Sequence, residues 1–538
     1  MPSDPKPSLP ELTFTTSPDN SPKLTPKWDV TKGKKPRFGI SLLSSGKTVS
    51  EPVSTSKDCH ITTDDGLPGL RRIVFKTLCQ WKHWLCFGVY VLVSMITSEL
   101  IKRHVREPYM DEIFHIDQAQ RYCRHEWFSY HPKLTTPPGL YVLSMPLTAV
   151  FGCHVQGLRY INHLLGACLY WVGACLVHGS NAGDWKQPLT AFAAGVSPVV
   201  MFFHHLYYTD SASTLVVLLS VLFANHSHHW LSALMGLFSL SIRQTNVVWV
   251  VFCLVWSLCR SLARVSHETP GCRVLMLPPY RFNEFASELL SPEMLFAAIR
   301  AHFMSLLQIA LPYGLVITTF ASFVVWNGGV VIGDKANHVA SLHFPQLGYY
   351  LVYASALLSP LIVGSPASFF RTLKAVATNI KTASLAAGLF SMSIAMVHKF
   401  TVHHPFLLSD NRHITFYIWK KFFRAHPLLP YLYVPIYIAS GWVWMTKVVR
   451  LSNRPVVLWL GYAAVVGLTL VPSPLLELRY FIPHLAFLRL CLMDIPSHRR
   501  VILEVMLALS LHLFIMYRFI YKPYLWEAHP GEVQRLMW

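Results

Sequence analysis

The chain has 538 residues, of which 53% are hydrophobic and only 14% charged, with a mean hydropathy of +0.38. Soluble domains carry about 25% charged residues, so this composition excludes a protein that faces water all round. The net charge of +19 suggests nucleic acid, but Lys and Arg are scattered through short loops between apolar runs. The positive-inside rule explains that pattern, and no nucleic-acid partner is expected.

Residues 1–84 are rich in Pro, Ser, Thr and Lys and are expected to form a disordered cytosolic extension. No early apolar stretch marks a cleaved signal peptide. Arg71, Arg72, Lys76 and Lys82 precede the first apolar run, near 85–101, which places the N-terminus in the cytosol. Residues 85–538 then read as one polytopic unit, with the loop 102–135 on the far side of the bilayer. Further apolar segments fall near 136–152, 155–178, 187–204, 211–226, 229–242 and 246–260. A second group lies near 302–326, 346–366, 382–400, 427–446, 455–472, 480–494 and 501–520. Several are short or interrupted by Pro or Gly, as tilted or re-entrant segments are.

Basic residues orient the second half. Arg371, Lys374 and Lys381, then Lys447, Arg450 and Arg454, then Arg499 and Arg500 mark cytosolic loops. The loops around Asp334, Asp410 and Glu477 fall on the far side, provided 414–424 does not cross. Counting back puts Asp210 and Arg243 there too, whereas counting forward from the first span gives the opposite. One apolar segment of the first half is therefore not a full crossing, and the sequence does not identify it. The 11 cysteines form neither a CxxC pair nor a metal-ligand spacing. Cys123 and Cys153 are candidates for an oxidising compartment without making a disulfide framework.

The first far-side loop carries the strongest chemical pattern, Glu107-Pro108-Tyr109-Met110-Asp111-Glu112-Ile113-Phe114-His115. Two adjacent carboxylates just beyond a membrane helix are costly unless solvated or used. One of them can act as general base toward a hydroxyl, or both can belong to a solvated helix end. Gln118, Gln120, Tyr122 and Trp127 follow, suited equally to stacking on a sugar and to an interfacial aromatic belt. Thr135-Thr136-Pro137-Pro138-Gly139 then sets a rigid entry to the next helix. Tyr207-Tyr208-Thr209-Asp210 and Arg243-Gln244-Thr245-Asn246 interrupt later runs. So do Gly333-Asp334-Lys335 with His338, Ser409-Asp410-Asn411-Arg412-His413, and Glu477-Leu478-Arg479. Lys, Arg and His at a membrane face can grip a phosphate, or the clusters can be local ion pairs. Several such clusters on one side, opposite an Asp-Glu loop, suggest a site for an anionic lipid head. P-loop, His-Glu-x-x-His and Gly-x-Ser-x-Gly patterns are absent, and Gly328-Gly329 lacks the context of a dinucleotide loop.

In order along 85–538, YMDEIFHIDQAQRYC, PKLTTPPGLY, YYTD, RQTN, GDKANH, SDNRH and ELRYFIP resemble the dolichyl-phosphate-glucose alpha-1,2-glucosyltransferases of N-glycan precursor assembly. Asp117 stands where that pattern carries Pro, Ile414 where it carries Tyr, and 124–131 diverges. The resemblance implies a GT-C bundle with about 13 transmembrane helices in the endoplasmic reticulum membrane, its active site luminal. It implies glucose transfer from dolichyl phosphate glucose to a diglucosylated dolichyl-diphosphate-linked oligosaccharide, in one inverting step without cofactor or metal. Asp111 is then the base, and Glu112, the other catalytic candidate, positions the loop or the acceptor. Lys335, His338, Arg412, His413 and Arg479 are the donor-phosphate candidates. Tyr109, His115, Gln118, Gln120, Asp210, Arg243, Asp334, Asp410 and Glu477 are the sugar and acceptor candidates. A GT-C transferase with another acceptor, or a transporter or flippase, is the alternative. A transporter places its charges near mid-bilayer in paired halves, whereas here they gather at span ends.

Overall fold

A computed structural model of the chain describes residues 66–177, 184–265, 276–281, 292–362, 380–494, 497–527 and 529–538, with residues 374 and 378. The extension expected over 1–84 lies outside these up to residue 65, as does Arg371. From residue 66 the chain is helical, so the expected extension is too long. Helix α1 spans Gly66–Cys79 and α2 spans Trp81–His104. Lys102, Arg103 and His104 close α2, where cations oppose the negative end of the helix dipole. Its two faces differ: Tyr90, Ser94, Thr97 and Ile101 are buried, whereas Val89, Leu92, Met95 and Ile96 are exposed. An exposed aliphatic face at this spacing suits contact with lipid.

Helix α3 (Glu112–Cys123) and α4 (Gly139–Phe151) follow, then α5 (Val155–Leu176), α6 (Lys186–Gly195), α7 (Pro198–His204), α8 (Thr209–Asn225), α9 (His229–Ile242) and α10 (Val247–Val265). Beyond these come α11 (Pro292–Ala301), α12 (Phe303–Asn327), α13 (Pro345–Leu357), α14 (Ile380–Phe400), α15 (Val434–Val443), α16 (Val456–Leu470), α17 (Ile482–Phe487) and α18 (His498–Tyr521). Five segments among the described residues are long and apolar enough to cross a membrane: 81–104, 244–264, 303–327, 382–400 and 498–521. Helices α7 and α8 pass the same test only together, bent by 114° at the break that holds Tyr207 and Tyr208.

The segment expected near 136–152 is tied to the Asp111 loop at its far end, and it is one of three apolar helices of 10–17 residues among the described residues, with α9 and α16. Helix α4 has 13 residues, about 20 Å at 1.5 Å per residue, well short of a hydrocarbon core. Cys153, just past its end, is disulfide-bonded to Cys123 at the end of α3, with the Cα atoms 6.6 Å apart. Gln120 Nε2 also donates to the Cys153 carbonyl at 3.2 Å. Helix α4 therefore lies alongside α3 on the face of the Asp111 loop. The long α5 then runs to the opposite face, where Tyr170 Oη donates to the carbonyl of His83 near the start of α2 at 3.0 Å.

The polar loops that follow are bonded to one another. Ile332 N donates to the Thr135 carbonyl at 3.3 Å, Ser341 N to Pro472 at 3.0 Å and His343 N to Val471 at 2.8 Å. Gln244 Nε2 reaches the Thr135 carbonyl at 2.8 Å. Gly333 leaves no room for a Cβ against the Leu134 carbonyl. Past α18 the chain forms an antiparallel pair, β1 (Tyr524–Trp526) with β2 (His529–Gln534), Tyr524 opposite Gln534. An isolated bridge joins His413 to Met537.

Candidate active site

Glu112 opens α3 and is wholly buried. Arg159 of α5 donates Nε to Oε1 at 2.8 Å and Nη2 to Oε2 at 2.6 Å. Backbone N–H groups of Tyr207 and Tyr109 add bonds of 2.8 and 3.0 Å to the same two oxygens. Arg159 also donates to the carbonyls of Val105 and Glu107. A carboxylate that accepts four such bonds in a closed setting has nothing left for a substrate. Of the two roles expected for Glu112, these bonds fit positioning the loop rather than contact with a substrate.

Asp111 is its opposite. It precedes α3 without capping it, and its side chain remains 42% exposed. Oδ2 accepts from Arg479 Nη2 at 2.9 Å, and Oδ1 accepts no hydrogen bond from any described residue. Met110 just before it has φ 59°, a left-handed conformation that a non-glycine residue holds only when its surroundings enforce it. Desolvation opposes the Asp111 charge, but Arg479, His115 and His413 outweigh it and hold the carboxyl below the usual range.

Arg479, 15% exposed, also pairs through Nε with Glu477. Its guanidinium lies 5.5 Å from the Tyr208 ring centre and 5.8 Å from that of Tyr480. Tyr480 faces Arg243 as well, at 5.8 Å. Arg243 Nη2 sits 2.9 Å from Asp210 Oδ1 and Arg243 Nε donates to Thr209 Oγ1 at 3.0 Å. The break between α7 and α8 thus delivers Tyr208 and Asp210 to the Arg479 cluster. His115 is buried with Nδ1 2.7 Å from Tyr141 Oη, and burial pushes its pKa down to about 4.

The Asp410 loop is held separately. Arg412 donates Nε and Nη2 to the two Asp410 oxygens at 2.8 and 2.7 Å, and its backbone N–H adds a third bond at 3.0 Å. This pair, side by side on one loop, keeps Asp410 below its ordinary range against the opposing effect of burial. His413 Nδ1 donates to the Trp538 carbonyl at 2.9 Å. Nη1 of Arg479 and of Arg412 and Nε2 of His413 take no part in any described hydrogen bond.

Asp111, His115, Asp210, Arg243, Glu477 and Arg479 are thus brought together, with Arg412 and His413 on the adjoining loop. Other candidates are not. Gln118, fully buried, spends its amide on Ser129 and His131 backbone, and half-buried Gln120 commits Nε2 to the Cys153 carbonyl. The Tyr109 hydroxyl is taken at both lone pair and proton by Arg535 backbone. Asp334 binds Asn337, His338 binds the Asp334 carbonyl and Lys335 the Asn327 carbonyl. These contacts close the 328–344 loop on itself and do not reach Asp111. Divergent Asp117 pairs with Arg121 at 2.9 Å, a local bond that Pro could not make. Among the described residues no three His, Cys, Asp or Glu side chains converge as metal ligands.

Sequence reasoning passed over Arg159 and Arg535, and it named Tyr208 and Tyr480 only as members of their motifs. Arg159 carried a usable sign, since an Arg inside an apolar run needs an acidic partner.

The DIE2/ALG10 family model matches residues 105–490. Two human proteins named Dol-P-Glc:Glc(2)Man(9)GlcNAc(2)-PP-Dol alpha-1,2-glucosyltransferase are each 33% identical, covering 83% of this chain and 96% of their own length. An Arabidopsis thaliana protein of the same name is 31% identical, over 82% of this chain and 97% of its own. No solved structure matches. A family match from the Asp111 loop through the Arg479 segment, with relatives aligned over nearly their whole length, identifies the chain as a member of the DIE2/ALG10 family.

Proposed function

We propose that this chain transfers glucose from dolichyl phosphate β-glucose to the terminal glucose of a diglucosylated dolichyl-diphosphate-linked oligosaccharide, forming an alpha-1,2 linkage. The relatives' shared activity supports the reaction, and nothing favours a transporter or flippase. The observation that carries the mechanism is the division of labour in the acidic pair: Glu112 is consumed by Arg159, while Asp111 keeps an open Oδ1.

In this reading the acceptor 2-hydroxyl gives its proton to Asp111 Oδ1 as its oxygen attacks the donor C1. The C1–O bond to phosphate breaks on the opposite face, so a β-linked donor yields an α-linked product. The bonding pair leaves on phosphate, which needs positive charge rather than a proton. Arg479 Nη1 and Arg412 Nη1 are the donors that receive it, and His413, whose Nδ1 already donates to Trp538, adds an Nε2 donor only in its imidazolium form. Tyr208 and Tyr480 offer ring faces, and Asp210, Arg243, His115 and Glu477 line the sugar side. Arg479 touches both the base and the phosphate site, which couples proton acceptance to departure of the leaving group.

The fold is a GT-C bundle of about thirteen crossings once α4 is set aside. Its polar layer faces the lumen of the endoplasmic reticulum. The Cys123–Cys153 bridge supports that side, because disulfides persist in oxidising compartments. The decisive assay uses purified protein in lipid nanodiscs with dolichyl phosphate glucose and acceptors bearing one or two terminal glucoses. Transfer to the diglucosylated acceptor alone, with an alpha-1,2 product, is expected. Equal transfer to both would reduce the assignment to the reaction class, and no transfer would end it.

A further inference from the structure

The segment after α18 lies beyond the matched family region and has no part in the transfer as set out above. It nevertheless ties together the two loops that flank the open Asp111 carboxylate. Toward the donor side, Met537 N donates to the Arg412 carbonyl at 2.8 Å and Ile414 N to the Met537 carbonyl at 2.9 Å. His413 donates to the Trp538 carbonyl, and Tyr524 Oη to the Asn411 carbonyl at 2.8 Å. Toward the base, Tyr109 Oη donates to the Arg535 carbonyl at 2.6 Å and accepts from Arg535 N at 2.8 Å.

Arg535 is itself fixed at helix ends. Nη1 donates to the carbonyls of Phe519 and Ile520, and Nη2 to that of His104, each at 2.8 Å. These are last-turn carbonyls of α18 and α2, which lack intrahelical partners and attract a cation. One guanidinium therefore binds two helix ends while its own backbone clamps Tyr109. Tyr109 stands two residues before Asp111, and between them Met110 holds its left-handed φ of 59°. That conformation is uphill for a side-chain-bearing residue and needs both neighbours held. Glu112 grips the Tyr109 N–H from one side, and the Arg535 backbone grips its hydroxyl from the other.

We propose that residues 524–527 and 529–538 form a strap that sets Asp111 against the Arg412–His413 loop, with Tyr109 and Arg535 as positioning residues for glucosyl transfer. This rests on Asp111 being the base. Tyr109→Phe removes both strap bonds and keeps the ring. A small misplacement of a reacting group costs up to about 10²-fold, and turnover should fall about tenfold. Donor and acceptor KM should stay within about twofold, because the loss is one of orientation rather than binding.

The test is turnover of Tyr109→Phe, Asp111→Asn and the double variant at saturating substrates, with thermal melting alongside. A residue that acts through Asp111 adds nothing once the base is gone, so the double variant should match Asp111→Asn. Full turnover by Tyr109→Phe, or the same fractional loss in both backgrounds, overturns the strap while leaving the base in place. Near-normal turnover by Asp111→Asn removes the base reading and the strap's role with it. Should Tyr109→Phe be too unstable to assay, Arg535→Lys carries the same comparison, since it keeps the charge but cannot reach three carbonyls at once.

Discussion

Asp111 and Glu112 share a charge and a loop, yet their surroundings leave only one of them free to act. Asp111→Asn keeps the shape and loses the basicity, so turnover should drop about 10²-fold or more with the melting temperature nearly unchanged. Glu112→Gln strands Arg159 in a buried setting, which costs about 3–5 kcal/mol and should show first as a lower melting temperature. The reverse pattern would exchange the two roles. The charge on Asp111 also fixes a pH dependence. Its carboxyl is held down chiefly by Arg479 against desolvation, so the base stays ionised into acid and the acid limb of kcat should lie below the ordinary carboxylate range. Removing the cation favours the protonated form, so Arg479→Gln should move that limb to higher pH in the residual activity. An unmoved limb would mean that another group sets it. The candidacy of Asp111 was legible from residue types alone. Its separation from Glu112 was not, because it depends on Arg159, 47 residues away in sequence.

Between elements, the informative contrast is α4 with α5. Both read as apolar runs, and hydropathy alone gives them equal claim to cross. What distinguishes α4 is a tertiary tie: Cys153, just past its end, is bonded to Cys123 at the end of α3, a sequence separation of 30. Runs such as 302–326 and 501–520 were legible because a single uninterrupted helix accounts for each. The break between α7 and α8 was less so, since its 114° bend follows from packing around Tyr207, whose N–H is bound to Glu112. If the disulfide anchors α4, Cys123→Ser, Cys153→Ser and the double variant should each lose about the same 2–4 kcal/mol. Additive losses would show two independently packed thiols instead. In wild-type protein neither cysteine should react with a thiol reagent until it is reduced.

Over the described chain from α1 onward, the titratable groups of the candidate site share one face. Lys447 and Arg450 close the helical run after α15 and Arg499 and Arg500 open α18, away from Asp111, while Asp210, Arg243, Asp410, Glu477 and Arg479 share its face. That placement fits the luminal site proposed above, and the two ways of counting spans agree if α4 does not cross. It also makes topology the test on which the mechanism depends, because donor phosphate, acceptor glycan and base must meet on one side. Phe128 is fully exposed on the Asp111 face, and Leu451 is 62% exposed on the other. Cys79 and Cys168 are exposed free thiols and should first be changed to Ser. In that background, a cysteine at 128 should react with an impermeant reagent only after sealed endoplasmic reticulum vesicles are opened. A cysteine at 451 should react in the sealed vesicles. If position 128 labels from outside intact vesicles, the polar layer faces the cytosol and the luminal transfer proposed above cannot occur there. If both positions label together, α2 and α18 do not separate two compartments, and the bundle's assignment as a membrane-crossing transferase fails at its base.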